Sequence, residues 1–151
     1  MTEPPPTGRA PFGVVVITHG QLATELVNAA EMIVGELPTF AAVSIGWHDD
    51  VAVAREAIGT AIARVRGDGG VLLLTDMFGG TPTNLGLTFL EAGCVEVVTG
   101  VNLPMLLKLA SLRPSADMLT AARELREHGR NAIWVASDLV RGNSGGTGEG
   151  S

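Results

Sequence analysis

Residues 71–84 read VLLLTDMFGGTPTN, and the fold is decided there. Val71, Leu72, Leu73 and Leu74 form an apolar run without alternation, the pattern of a strand buried on both faces of a parallel sheet. The run ends in Thr75 and Asp76. Gly79, Gly80 and Pro82 follow, and after Pro82 the apolar positions Leu85, Leu87, Phe89 and Leu90 take up helical spacing that should stop near Gly93. In open α/β sheets, ligands bind at the carboxyl ends of the strands and in the loops behind them. A crowd of polar and glycine residues at that point is therefore a candidate site.

The same alternation extends in both directions. Upstream, residues 12–17 are a β-branched strand followed at once by Thr18, His19 and Gly20, and Leu22, Leu26, Ala29, Ala30 and Ile33 mark a helix ending near Gly35. Residues 41–45 are a short strand, with Trp47, His48, Asp49 and Asp50 in the loop behind it. Either aspartate can cap the helix that carries Val51, Ala54, Ile58, Ala61, Ile62 and Val65. Downstream, residues 95–99 are a fourth strand. Pro104 suits the first turn of an apolar helix over residues 105–111, and Arg113 and Pro114 break it. An amphipathic helix over 116–128 and a short final strand over 131–135 complete the series. The fold class is α/β: an open, mostly parallel sheet with helices on both faces.

A chain of 151 residues and 15.6 kDa fits one domain. Residues 1–11 read as a flexible N-terminal tail, 12–136 as the domain, and 137–151 as a flexible glycine-rich tail. The net charge of −6 and the lack of a basic patch argue against nucleic-acid binding. No apolar run is long enough for a membrane span, and the N-terminus MTEPPPTGRAP has neither the basic start nor the apolar core of a Sec-type signal. Cys94 is the single cysteine, so no intramolecular disulfide forms and a reducing, cytoplasmic setting is expected. Cys94 itself reads as a small core residue. The three histidines have no metal-ligand spacing and no glycine-lysine phosphate loop is present, so neither a metal, another cofactor nor ATP is expected.

His19 ends the first strand region and Asp76 the third. If those strands are neighbours, the two side chains share one crevice. A carboxylate that accepts the proton of one imidazole nitrogen fixes the tautomer, steadies the ring when it becomes positive, and leaves the other nitrogen free to attack. Thr18, Gly79, Gly80, Thr81 and the following helix N-terminus are candidate donors to phosphate oxygens. The plainer alternative is that His19 caps a loop and Asp76 a turn. His48 reads as an ordinary loop histidine, with a place at the rim of the crevice touching a partner as the alternative, His128 as a helix-end residue favoured by the dipole, and Trp134 as core or dimer contact.

Three separated motifs, GVVVITHGQLATELVNAAEMIVG at 13–35, VLLLTDMFGGTPTNLG at 71–86 and VVTGVNLPMLLKL at 97–109, resemble the IIA domain of the mannose family of the bacterial phosphoenolpyruvate-dependent sugar phosphotransferase system. The resemblance implies that His19 is phosphorylated on Nε2 by the phosphocarrier protein HPr, that Asp76 hydrogen-bonds Nδ1, and that Thr81 lies beside the phosphate. It also implies a homodimer in which a C-terminal antiparallel strand crosses to the partner's sheet. An exposed Met77 and Phe78 would suit HPr docking. Sugar-uptake members are often fused to a IIB domain, which this chain lacks, so a separate IIB protein or a regulatory target is the expected acceptor. The phosphotransfer subunit of a dihydroxyacetone kinase has a similar fold, but the DMFGGTPTN turn fits the mannose IIA pattern better. A non-catalytic interaction module of the same fold is the remaining alternative, and the joint presence of His19, Asp76 and Thr81 stands against it.

Overall fold

The computed structural model describes residues 12–113 and 115–144. The elements run β1 (Gly13–His19), α1 (Leu22–Val34), β2 (Phe40–Ile45), α2 (Val51–Val65), β3 (Val71–Thr75), α3 (Gly80–Leu87), β4 (Val95–Thr99), α4 (Leu103–Ala110), α5 (Met118–Asn131) and α6 (Ala136–Ser144). The four strands form one sheet in the order β2-β1-β3-β4, and every pairing is parallel.

Alternation along the central strands divides the core in two. Val14, Val16, Leu72 and Leu74 face α1, α4 and α5, while Val15, Ile17, Val71 and Leu73 face α2 and α3. Both faces of β1 and β3 are buried, which is why their sequences read as unbroken apolar runs. The chain leaves β1 for β2 in one direction and later leaves β3 for β4 in the other. The point of reversal lies between β1 and β3, and their carboxyl ends open the crevice there.

Local chemistry explains the helix starts. Asp50 is the N-cap of α2, accepting the Ala52 N–H at 2.7 Å, so the second of the two candidate aspartates has that task. Asn102 caps α4 ahead of Pro104, and Asp117 caps α5. Three expected boundaries are corrected. Helix α3 begins at Gly80, because Pro82 stands in its first turn, where a missing N–H costs nothing. It ends at Leu87: the amides of Thr88, Phe89 and Leu90 each bond three residues back, and the Thr88 hydroxyl donates to Leu85 C=O, tightening the chain out of α-geometry.

The third correction concerns the C-terminus. α5 runs to Asn131, residues 133–135 are irregular, and α6 occupies 136–144, where a strand and then a flexible tail were expected. A strand must borrow its hydrogen bonds from a neighbour, whereas a helix satisfies its own backbone. Among the described residues of one chain, 131–135 has no ladder partner, and α6 adds local support through Arg141 Nη2 to Asp138 Oδ1 at 3.2 Å. The remainder of the expected C-terminal tail, 145–151, and the N-terminal tail, 1–11, lie outside the described residues. No described helix is long and apolar enough to cross a membrane.

Candidate functional site

His19 is the last residue of β1, and Asp76 follows the last residue of β3. The parallel register pairs Ile17 with Thr75, so the two side chains leave the same edge of the sheet at its point of reversal. The expected pair is assembled: His19 Nδ1 lies 2.7 Å from Asp76 Oδ2, and the His19 backbone N–H donates to the same oxygen at 3.1 Å. Two contacts from one residue fix both the ring and the strand end against the carboxylate. Asp76 Oδ1 is buried and accepts no hydrogen bond from the described residues.

The electrostatics follow from this geometry. Burial pushes the Asp76 carboxyl upward, but the hydrogen bonds from the His19 ring and backbone, with the charge of the imidazole, outweigh it and hold the group below its ordinary 3.8. Asp76 is therefore a carboxylate at neutral pH. In the neutral imidazole the proton sits on Nδ1, toward the carboxylate, and Nε2 carries the lone pair. The His19 side chain is 51% exposed against 13% for Asp76, so the ring is open to an incoming group while its orienting partner is sheltered.

The start of α3 lies against the free edge of this ring. A Cβ built on Gly80 would stand 3.1 Å from His19 Cε1 and 3.2 Å from Nε2, and Gly80 has φ +81°. Only glycine supplies both that backbone conformation and that clearance. Gly79, also at positive φ, is the N-cap, and no side chain caps the helix. The first-turn amides and the positive end of the helix dipole are thus available to an anion. Thr81 is exposed in the same turn.

Thr18 is not brought into this group. It is fully buried, and its hydroxyl accepts the Ala23 N–H at 2.6 Å, serving the start of α1, whose own N-cap Gln21 offers no side-chain bond. Adjacent residues of a strand point to opposite faces, so Thr18 and His19 diverge. Two hydroxyls that the sequence reading passed over do shape the loop. Thr83 donates to Met77 C=O, and Thr75 Oγ1 lies 2.7 Å from Thr83 Oγ1, tying the end of β3 to α3 across the glycine turn. The signal was the threonine on each side of the DMFGGTP segment.

His48 stands exposed in the loop behind β2, and His128 lies in the last turn of α5. Among the described residues no three metal-ligating side chains gather. A cleft of about 630 Å³ lies beside the pair rather than on it, between the free edge of β4 and α5, with Phe78, Asn102, Arg123 and Arg130 in its walls. Cys94 is half-buried against the α2 and α3 side of the core.

Comparison with known proteins agrees with this fold. The family model described as the phosphotransferase-system fructose IIA component matches residues 13–125. The fructose-specific EIIA component of Bacillus subtilis is 29% identical over 128 residues, which cover 84% of this chain and 88% of that protein. The mannose-specific EIIAB component of Escherichia coli K12 is 34% identical over 119 residues, covering 73% of this chain but only 35% of that longer protein. Among solved structures, the IIA protein associated with the fucose utilization operon of Streptococcus pneumoniae superposes with a TM-score of 0.76 at 27% identity, covering 87% of this chain and 99% of that one. The mannose/sorbose-specific IIA subunit of Enterococcus faecalis gives 0.74 at 28% identity, covering 84% and 95%.

Proposed function

The chain belongs to the mannose/fructose family of phosphotransferase-system IIA components, and we propose that His19 is its phosphoryl acceptor, charged by phosphorylated HPr. The observation that carries this reading is the 2.7 Å contact between His19 Nδ1 and Asp76 Oδ2, which leaves Nε2 facing the uncapped start of α3.

In the proposed step, the Nε2 lone pair attacks phosphorus in line as the P–N bond of the donor's phosphohistidine breaks. The electron pair of that bond returns to the donor's imidazole. His19 becomes a phosphorylated imidazolium whose Nδ1–H remains on Asp76, and the carboxylate balances the new positive charge. First-turn amides of α3 and the Thr81 hydroxyl are suited to the phosphoryl oxygens, with Gly79 and Gly80 keeping their approach clear. Thr18 has no part in this scheme, because its hydroxyl is buried and already engaged. Reversal of the same chemistry hands the group to a separate IIB protein or holds it as a regulatory mark. The test is intact-mass measurement after incubation with phosphoenolpyruvate, enzyme I and HPr. One acid-labile phosphoryl group per chain is expected; no added mass, with HPr itself charged, would favour a non-catalytic interaction module.

A homodimer is part of the same proposal. β4 lies at one end of the sheet order, Ile133, Trp134 and Val135 are exposed, and Val140 of α6 is exposed as well. Exchange of residues 132–135 onto the partner's β4 would give this apolar segment a ladder and a cover. Sedimentation at micromolar concentration is expected to give twice the chain mass. A particle of 15.6 kDa alone would rule the dimer out.

A further inference from the structure

The loop behind β2 carries a side chain that the phosphoryl chemistry leaves unused. Trp47 is 99% exposed, the most exposed of the large apolar residues described. It stands on a closed turn: the Gly46 N–H donates to Asp49 Oδ2 at 2.6 Å, the Asp49 N–H returns to Gly46 C=O at 3.3 Å, and Asp50 is committed to capping α2. The turn that presents the indole is thus built in before any partner arrives.

Its place in the sheet matters. Ile45 is the register partner of His19, and the Gly20 N–H donates to Ile45 C=O at 2.9 Å, so Trp47 lies two residues beyond a position locked beside the histidine. On the other side of His19 the end of β3 leads to Met77 and Phe78, the latter 82% exposed, on the loop pinned by Thr83. His19 is therefore flanked by exposed apolar side chains on two fixed loops. Four loops meet this edge, residues 20–21, 46–50, 76–79 and 100–102. They hold Asp49, Asp50 and Asp76 and neither lysine nor arginine.

We propose that Trp47 is the docking anchor for the phosphorylated donor protein, filling an apolar depression beside that protein's phosphohistidine while its basic side chains meet Asp49 and Asp50. This rests on the reading of His19 as acceptor. On the Trp47 side of His19 the surface is apolar with acidic groups, whereas Arg123, Arg126 and Arg130 stand with Phe78 in the cleft on the other side, so the Trp47 side selects a partner that is apolar at its centre and basic where it meets this loop. A tryptophan that loses its water on docking is the residue type most often found to dominate such contacts. Trp47 touches no reacting atom, so its contribution is to binding: it is equal before and at the transition state and appears in KM rather than in kcat.

The experiment is the initial rate of charging by phosphorylated HPr over a range of concentrations, for the wild type, Trp47→Ala and Trp47→Phe. Trp47→Ala is expected to raise KM about 10-fold or more while kcat stays within about 2-fold, and Trp47→Phe to recover most of the loss. Phosphoramidate, a donor without a protein surface, should charge His19 equally in all three. An unchanged KM in Trp47→Ala, or a defect confined to onward transfer, overturns the docking proposal. Charging that persists in His19→Ala would instead remove the acceptor reading on which it rests.

Discussion

His19→Ala takes no phosphoryl group from phosphorylated HPr, its rate of charging falling by at least about 10³-fold, to the background of the assay. The expectation is strict because neither other histidine has the arrangement that activates this one. Among the described residues no carboxylate accepts a hydrogen bond from the ring of His48 or His128, whereas His19 Nδ1 is held at 2.7 Å from Asp76 and its Nε2 faces the uncapped start of α3. An unoriented imidazole divides its proton between two nitrogens and has nothing to balance the charge it acquires. His48→Ala and His128→Ala therefore charge at the wild-type rate. Because His19 is half exposed at a strand end, its truncation leaves the core intact and loss of folding does not explain the result. Equal labelling of His19→Ala and wild type would refute the assignment.

Asp76→Asn is the second large effect, a fall in the charging rate of about 10²- to 10⁴-fold with the fold retained. The amide oxygen can take the place of Oδ2 and keep both contacts from His19, which preserves shape. It carries no charge, so the phosphorylated imidazolium loses its counter-ion. In the flipped orientation the amide donates to Nδ1 and drives the proton to Nε2, the wrong nitrogen. A wild-type rate in Asp76→Asn would end the tautomer argument. The same pair contributes to stability with a definite sign. The folded carboxyl lies below its ordinary 3.8, so the contribution is fully present above the unfolded value and is lost as pH falls through the folded one.

The order of elements was legible because each central strand is sheathed on both faces. Val71, Leu72, Leu73 and Leu74 cannot be mistaken for an amphipathic strand, and the residues after them can only be a strand end and its loop. That β1 and β3 are neighbours was not legible. The pairing of His19 with Asp76 was conditional on it, and the order β2-β1-β3-β4 supplies it. Thr18 was grouped with His19 because the two are adjacent in sequence, yet in a strand adjacency means divergence, and the hydroxyl instead meets Ala23 at the start of α1. Residues 131–135 form no strand within the single chain for a different reason. β-branched and aromatic composition favours a strand only where a ladder exists to receive it, and the described residues of a single chain offer this segment none.

Asparagine and alanine variants report on the site through what is lost, but the central claim concerns one atom. In protein labelled with ¹⁵N and charged with phosphate, correlation of the imidazole nitrogens with phosphorus and with the ring protons identifies the bonded nitrogen directly. The account predicts phosphorus coupled to Nε2 of His19, with Nδ1 still protonated and hydrogen-bonded to Asp76. Phosphorus on Nδ1, or on the ring of His48 or His128, would contradict it.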